Sequence, residues 1–489
     1  MKLMPMVLAA TLVTPALAAP VAKDPTWWDK YQTILNSGAD PLVTATSSST
    51  ATNVDVSNEC GPQSETFIAI NPSRPRQLAA GSNEIFRLPM RGYFSTDNGA
   101  SWGGVDLPLP DAIGANGIRF GSDPTLAFDS SGNLFYGYIV VFFGAGNGIN
   151  GTEMAVARST DGGKTYPQAT FFAFNGGSDH FNDKPMITAD TSAASPFRDS
   201  VYVAWDAASG GSATGGGIRV ARSTDHGKTF SVTRADDPSG PGRSIGATVT
   251  TGPQGQVYVA WNDFAANAIV FNSSLDGGAT WGTPHAIAQK TVAFDIGIPA
   301  ESFRRALVYP ACAADISSGA HRGRISCSWT DVNAAGNLDV LGSVSDDGGG
   351  TWSPPAPVAE RLGNVDRFNQ WLAADPVTGQ VAVSFYDTRN DTTGQRFMTD
   401  VYLSRGDGLS FGPSARVSDV SSNEHDCNGL FPCPSINYGN QQGDYEGVAA
   451  YGGTVHAIWT DSRRNQEQQT ASCGRGRGIM EEVFTATVK

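Results

Sequence analysis

The chain has 489 residues, of which 40% are hydrophobic and only 16% charged, and its 47 acidic against 33 basic side chains leave a net charge of −14. That balance excludes the basic surface that nucleic acid or an anionic membrane would need, so neither is expected as a partner. With 57 glycines, 28 prolines and no long stretch of helical periodicity, the chain reads as all-β, many short strands joined by tight turns.

Lys2, the apolar run through Val13 and the small residues Ala16-Leu17-Ala18 read as a signal peptide over residues 1–18. The mature protein is therefore expected to be secreted and extracellular, or periplasmic in a bacterial host. No later apolar run is long enough to span a bilayer. Residues 19–58 form a polar, Ser/Thr-rich leader, and residues 59–489 the folded domain.

From Phe67 onward a two-strand pattern recurs. A short strand such as Phe67–Ile70, Pro124–Phe128, Pro185–Thr188 or Trp371–Ala374 is followed by a stronger one. The stronger strands are Val201–Asp206, Val257–Asp263, Ile325–Asp331, Val381–Asp387 and Val455–Asp461, with looser versions at Leu78–Glu84 and Leu134–Tyr138. After most of them comes a signature: Ser95-Thr-Asp97-Asn-Gly99-Ala-Ser-Trp102, Ser159-Thr-Asp161-Gly-Gly163-Lys-Thr-Tyr166, Ser223-Thr-Asp225-His-Gly227-Lys-Thr-Phe230, Ser274-Leu-Asp276-Gly-Gly278-Ala-Thr-Trp281 and Ser345-Asp-Asp347-Gly-Gly349-Gly-Thr-Trp352. A worn sixth copy runs from Ser404 to Phe411, with Gly406 at the aspartate position. Each copy lies between apolar runs, as a hairpin turn does. The Asp carboxylate accepts backbone N–H groups within the turn and the Gly takes a positive φ. Repeats of this length are modules that bury their apolar faces only by stacking on one another.

The signature resembles the Asp-box, or BNR repeat, of sialidase-like β-propellers. The resemblance covers nearly all of the mature chain and implies a β-propeller of four-stranded blades. Seven blades are favoured by the seven strand pairs, and six follow if one looser unit is an insertion. The last segment, Glu482–Val488, reads as a third strand without a fourth. The stretch Thr52–Val56 is expected to supply the missing outer strand and close the ring. Of the fifteen pairings open to six cysteines, the expected set is Cys312–Cys327 across a hairpin, Cys427–Cys433 within a loop, and Cys60–Cys473 tying the first blade to the last.

In a four-stranded blade, the loop entering the innermost strand and the loop leaving the second open on one face, and the box turns on the other. The first face is expected to hold Glu65, Glu84 and Arg87, then Arg119 and Asp123, then His180, Asp183 and Asp206. It continues with Arg243 and Asp263, then Arg304, Arg305, Tyr309 and Asp331, then Arg367, Asn369, Tyr386, Asp387 and Arg389. The last unit adds His425, Asp426, Asp444, Tyr445, Glu446, Asp461 and Arg463. The Asp that recurs after the second strand reads as a turn cap.

The resemblance implies a function as well: an exo-acting glycoside hydrolase on a terminal acidic sugar of the sialic-acid type. Such enzymes gather three arginines on one carboxylate and attack with a Tyr activated by a Glu. Arg87, Arg367, Arg389 and Arg463 form the candidate substrate-binding pool, because guanidinium forks hold carboxylates in two places. Phe86-Arg87-Leu88-Pro89 is similar to the family's Phe/Tyr-Arg-Ile-Pro motif, though here it stands only eight residues before the first box. Asp444, Tyr445, Glu446 and Tyr386 are the candidates for the carboxylate and tyrosine roles, and His180 and His425 for a general base.

Two alternatives remain open. One is a propeller polysaccharide lyase or rhamnosidase acting beside a uronate through a His. The other is a non-catalytic glycan or protein binder. No cofactor is expected, since no His/Cys ligand spacing is present, while Ca²⁺ held by Asp and carbonyl oxygens remains compatible with a propeller. The expected partner is an acidic glycan, taken by a monomer.

Overall fold

The computed structural model describes residues 47–48, 52–57, 62–85, 87–114, 117–143, 149–176, 180–209, 216–240, 242, 244–301, 304–424, 442–463 and 481–489. Strands form where Val, Tyr, Ala and Trp run together, as in Val201–Ser209 and Val257–Asp263. Such runs suit a strand buried on both faces, and each of these sheets is sandwiched between two others. Trp205, Trp261, Trp329 and Trp459 occupy the same position in four second strands, each no more than 1% exposed, and fill the space between neighbouring sheets.

Seven antiparallel sheets result. Blade 1 runs outward through Gln63–Ile70, Leu78–Glu84, Arg91–Ser95 and Ser101–Asp106, with Ser47–Ser48 added at its edge. Blade 2 comprises Ile118–Phe128, Leu134–Phe143, Ile149–Ser159 and Gln168–Gly176, and blade 3 His180–Ala189, Val201–Ser209, Ile218–Ser223 and Ser231–Arg234. Blade 4 is Ser244–Thr251, Val257–Asp263, Ala268–Ser274 and His285–Gln289. A small pair, Asp295–Ile296 with Ala306–Leu307, lies between it and blade 5. Blade 5 is Ala311–Ala314, Ile325–Val332, Leu338–Ser345 and Ala356–Pro357, and blade 6 is Arg367–Ala374, Val381–Asp387, Met398–Gly406 and Ala415–Arg416. Blade 7 is Gly447–Tyr451, Thr454–Asp461 and Glu482–Val488, with Asn53–Asp55 outermost. Each inner strand packs on the inner strands of both neighbours all the way round, so the seven blades form a closed propeller. The described residues contain no helix.

Asn53, Val54 and Asp55 pair with Ala486, Thr485 and Phe484, so the strand expected at Thr52–Val56 does close the ring. This pairing also explains why seven blades carry six box signatures. The box joins the third strand to the fourth, and in blade 7 those two strands come from opposite ends of the sequence.

The turns are built alike. In the fourth box the Asp276 carboxylate accepts from Ser274 Oγ at 2.7 Å, Ala279 N at 3.1 Å, Thr280 N at 2.9 Å and Thr280 Oγ1 at 2.6 Å. The Ser274 hydroxyl in turn accepts from Gly278 N at 2.8 Å, and Gly278 holds φ +85°. These bonds pull the Asp276 carboxyl down to about 2. In the worn copy the neighbouring Asp407 takes over, accepting from Leu409 N and Ser410 N at 3.0 and 2.8 Å.

Cys312 and Cys327 lie directly opposite each other in blade 5 and are disulfide-bonded. Cys60, Cys473, Cys427 and Cys433 lie outside the described residues, as does the signal peptide.

Candidate functional site

The innermost strands do not run straight to the axis. In blades 1, 2, 3, 4 and 6 the register slips at Ser64/Phe67, Ser122/Thr125, Asp183/Met186, Ile245/Thr248 and Phe368/Trp371. At each slip one residue adopts positive φ: Glu65 (+55°), Asp123 (+60°), Lys184 (+47°), Gly246 (+69°) and Asn369 (+47°). Left-handed backbone is costly for residues with a Cβ, and bulges of this kind re-aim side chains. Here they turn one residue per blade toward the axis. In blades 5 and 7 the equivalent places are held by Tyr309 and Tyr445.

Hydrogen bonds pass from blade to blade around this ring. Asn83 accepts from Asp123 N at 2.7 Å, Asp123 from Lys184 N at 3.0 Å, and Asp206 from Gly246 N at 3.2 Å. Asn262 donates to Val308 O at 2.9 Å, Gln370 to Tyr309 O at 2.7 Å, and Asn369 to Gly443 O at 3.0 Å. Thr66 donates to Glu446 and closes the circuit from blade 1 to blade 7.

The side chains inside the ring carry the chemistry. Lys184 Nζ lies 3.6 Å from the centre of the Tyr445 ring, 4.2 Å from that of Tyr309 and 5.4 Å from that of Trp371. Burial lowers this ammonium to about 8, against the pull of Asp444, Glu65, Asp123 and Asp206. Arg304, delivered by the segment between blades 4 and 5, donates to Asp444 at 2.5 Å and lies 3.5 Å from Glu65. Tyr309 Oη donates to Asp444 at 3.3 Å. Burial raises the carboxyls of Glu65 and Asp183 well above their ordinary range and pushes Asp206 up to about 8. For Glu65 the charges of Asp444 and Asp123 add to the rise, and for Asp183 those of Asp123 and Asp206. Asp206, Glu65 and Lys184 are sealed, whereas Asp183, Asp444 and Arg304 are partly exposed and form the floor of the axial mouth.

The candidate residues divide three ways. Asp183, Asp206, Arg304, Tyr309, Asn369, Asp444 and Tyr445 do converge on the axis. Tyr386 and Glu446 meet each other instead. Tyr386 Oη donates to Glu446 at 2.6 Å, and both also bond Thr460. The adjacent Tyr445 points elsewhere, its hydroxyl 3.3 Å from Pro124 O, as neighbours on an extended segment must. Burial pushes Glu446 up to about 8 and raises Tyr386 well above 10, the reverse of what a tyrosinate nucleophile needs. Both side chains are shut off from solvent.

The four pooled arginines spread over blades 1, 6 and 7. Arg87 donates to both oxygens of Asp106 at 2.7 Å. Arg367 holds Asp387 and Asp339 at 2.8 Å each. Arg389 holds Asp387 at 2.6 Å and Glu360 at 2.5 Å. Arg463 holds Asp461 at 2.7 Å and Asp419 at 2.5 Å. In blades 6 and 7 the Asp of an Asp-x-Arg turn also accepts the Arg backbone N–H, at 2.7 and 2.8 Å. These groups brace the loops that follow the second strands. His180 opens the inner strand of blade 3, opposite Ser209, and His425 lies outside the described residues.

Sequence reasoning missed Lys184, because a lysine before Pro185 reads as a surface loop residue. The available signal was positional. Asp123-Pro124, Lys184-Pro185 and Tyr309-Pro310 fill the same slot at the head of an inner strand. It also missed Glu301, Glu424 and Glu481, three carboxyls at most 1% exposed and all raised by burial. Among the described residues no group of His, Cys, Asp and Glu side chains is arranged to hold a metal ion.

No protein-family model and no curated protein matches the chain. Solved structures similar to it include a leech intramolecular trans-sialidase, 11% identical with a TM-score of 0.48 over 72% of this chain and 69% of that one. The NanB sialidase from Streptococcus pneumoniae is 10% identical with a TM-score of 0.46, over 70% and 67%. A Hadza microbial sialidase is 15% identical with a TM-score of 0.40 over 66% of this chain, which spans only 63% of that protein's length. This chain's own strand pairing makes it a propeller of seven blades.

Proposed function

We propose that the protein is a carbohydrate-active enzyme of the glycoside-hydrolase class, working at the axial mouth with Asp183 as general acid and Asp444 as the second carboxylate. One observation carries the reading. Of the axial carboxyls that burial raises, Glu65 and Asp206 are sealed, and Asp183 alone combines a retained proton with access from the mouth. Asp444 faces Arg304 at 2.5 Å, so its negative charge is matched. A carboxyl that keeps its proton beside a second carboxyl within the same site is how acid and base steps are run on a glycosidic bond. The Asp-box pattern supports a glycan as substrate, and the leader at residues 1–18 supports action outside the cell.

The tyrosine–glutamate and arginine machinery of a sialic-acid hydrolase is not part of this proposal. Tyr386 and Glu446 are sealed, and Arg87, Arg367, Arg389 and Arg463 are held by acids of their own. That same engagement favours a second reading, a propeller that binds a glycan without cleaving it.

The test is a panel of fluorogenic glycosides and polysaccharides assayed between about pH 5 and 7. The wild-type protein is expected to release product from at least one. Asp183→Asn is expected to lose about 100-fold or more in kcat with little change in KM. Full activity in Asp183→Asn would remove the proposed acid. Binding without any cleavage would move the protein to the second reading.

A further inference from the structure

The connection from blade 4 to blade 5, residues 290–310, is longer than its counterpart from blade 5 to blade 6, residues 358–366. It enters the innermost strand of blade 5, so it lies on the face of the mouth. There it folds on itself, with Asp295 and Ile296 paired to Leu307 and Ala306. Long ordered loops on a rigid scaffold are where binding residues collect. This one supplies Arg304 and Tyr309 to the axis. It also carries Phe294, whose carbonyl accepts from Val308 N at 2.8 Å, which sets the ring beside Tyr309.

Three rings form a row from the axis outward. Tyr309 and Phe294 lie 5.7 Å apart between ring centres, and Phe294 and Phe264 5.0 Å apart with their planes at 89°. Phe264 stands at the tip of the hairpin that leaves the second strand of blade 4, beside the entry of its inner strand and so on the same face. The row therefore runs from Tyr309, whose hydroxyl donates to Asp444 at 3.3 Å, to an outer ring that is 40% exposed. Phe294 between them is partly exposed. Hairpin tips favour Gly, Asn, Asp and Ser, and a phenylalanine there buries little of its ring in the fold.

The row is braced from beneath. Lys290 Nζ donates to Asn267 Oδ1 and Val292 O at 3.0 Å each, and to Ala293 O. One ammonium thus ties the Phe264 hairpin to the residues just before Phe294. Asn267 Nδ2 returns a bond to Lys290 O at 3.0 Å. The Asp331 carboxylate accepts from Thr291 N and Val292 N at 2.9 Å each, and Asp263 caps the hairpin by accepting from Ala266 N at 2.8 Å. Side chains held in place beforehand lose little freedom when a ligand arrives.

Resting on the reading of the axial mouth as a glycan-cleaving site, we infer that Phe264 and Phe294 form a subsite for a further sugar of a neutral hexopyranose chain. The substrate is then an oligosaccharide or polysaccharide laid from the axis across the rim of blade 4, rather than a single terminal sugar. Chemistry and continuity name the occupant. The face of an aromatic ring is negative, so it attracts the C–H face of a pyranose and repels a carboxylate. The row ends on Tyr309, which bonds the second carboxylate of the proposed site. A chain that leaves Asp444 along this side passes Phe294 and then Phe264.

The experiment is calorimetry on the full chain with cellopentaose, mannopentaose and galactopentaose, each beside its disaccharide, and with an oligogalacturonate. At least one neutral pentaose is expected to bind roughly tenfold or more tightly than its disaccharide. Phe264→Leu keeps apolar bulk without the ring face and should lose roughly tenfold in pentaose affinity, whereas Phe264→Tyr should keep it. Thermal melts of both variants should overlay that of the wild type. Should Phe264→Leu melt lower, the ratio of pentaose to disaccharide affinity on the wild-type and Phe264→Tyr chains decides. No binding of any neutral pentaose, equal affinity for pentaose and disaccharide, tighter binding of the galacturonate, or full affinity in Phe264→Leu overturns the inference. Cleavage of a glycan with kcat/KM independent of chain length would sink this inference and leave the hydrolase reading standing. Pentaose binding that depends on the Phe264 ring, with no cleavage of any glycoside, would do the opposite.

Discussion

The Lys184 ammonium rests 3.6 Å above the centre of the Tyr445 ring, so blade 3 reaches across the axis to blade 7. Water is replaced there by an aromatic face, which holds a desolvated cation without a hydrogen bond. Lys184→Met keeps the length of the side chain and removes the charge from among five carboxyls. We expect a loss of about 2–4 kcal/mol near pH 7.5, because removing one partner strands the other buried charges. The loss should be smaller near pH 5, where Glu65, Asp183 and Asp206, raised by burial, hold their protons more fully. Denaturant melts at the two pH values measure both, and an equal loss at each would contradict the electrostatic account.

Stability should peak in mild acid. Burial raises Glu65, Asp183, Glu301, Glu424 and Glu481, and pushes Asp206 and Glu446 up to about 8. A carboxyl raised on folding binds protons more tightly in the folded state. Its contribution is complete below the unfolded value of about 4 and is lost as pH climbs toward 8. His456, lowered to about 4 by burial, acts in the opposite sense below about 6.5, but it is one group against seven. Lys184 and Lys290, lowered to about 8, add stability only as pH rises further. A melting temperature that climbs steadily from pH 5 to pH 8 would refute this balance.

The Tyr386–Glu446 pair should prove structural. Tyr386→Phe removes the 2.6 Å bond to Glu446 and the 2.8 Å bond to Thr460 O. The expected cost is about 1–3 kcal/mol with kcat on any cleaved glycoside unchanged. Glu446→Gln resembles the protonated acid and should cost less at pH 7 than Tyr386→Phe. A folded Tyr386→Phe protein with activity reduced a hundredfold would return the tyrosine to the catalytic list.

Each box turn should act alone and far from the mouth. Asp276→Ala deletes four accepted hydrogen bonds and should lower stability by roughly 1–3 kcal/mol without touching turnover. Because that carboxyl is lowered to about 2, its contribution is complete above about 4 and is lost as pH falls toward 2. Melts of the wild type and variant should therefore converge only in strong acid.

Much of the fold was legible because its determinants are local. The Val-Tyr-Val-Ala-Trp strands bury both faces, and Ser-x-Asp-x-Gly closes its own turn, so both can be recognised in isolation. The closing strand at Asn53–Asp55 followed from counting, since a third strand at Glu482–Val488 needed a neighbour. The site was less legible. The sequence pointed to the face that carries Asp183, Asp206, Arg304, Tyr309 and Asp444, but not to what each side chain touches. Tyr386 meets Glu446 across 60 positions of sequence. That contact depends on how blades 6 and 7 pack, which no local pattern encodes. Arg389 and Arg463 were open to a plainer reading, since Asp387-x-Arg389 and Asp461-x-Arg463 are self-contained turns whose acids consume the guanidinium groups.

Pairing Asn53–Asp55 with Glu482–Val488 has a consequence for the timing of assembly. One strand of that last seam is synthesised long before the other. Until the ribosome has delivered Val488, the nascent chain can stack at most six complete blades, with raw sheet margins at each end of the arc. Circular completion therefore waits for Val488, and the interval before it is when the unfinished protein is most open to intermolecular strand exchange.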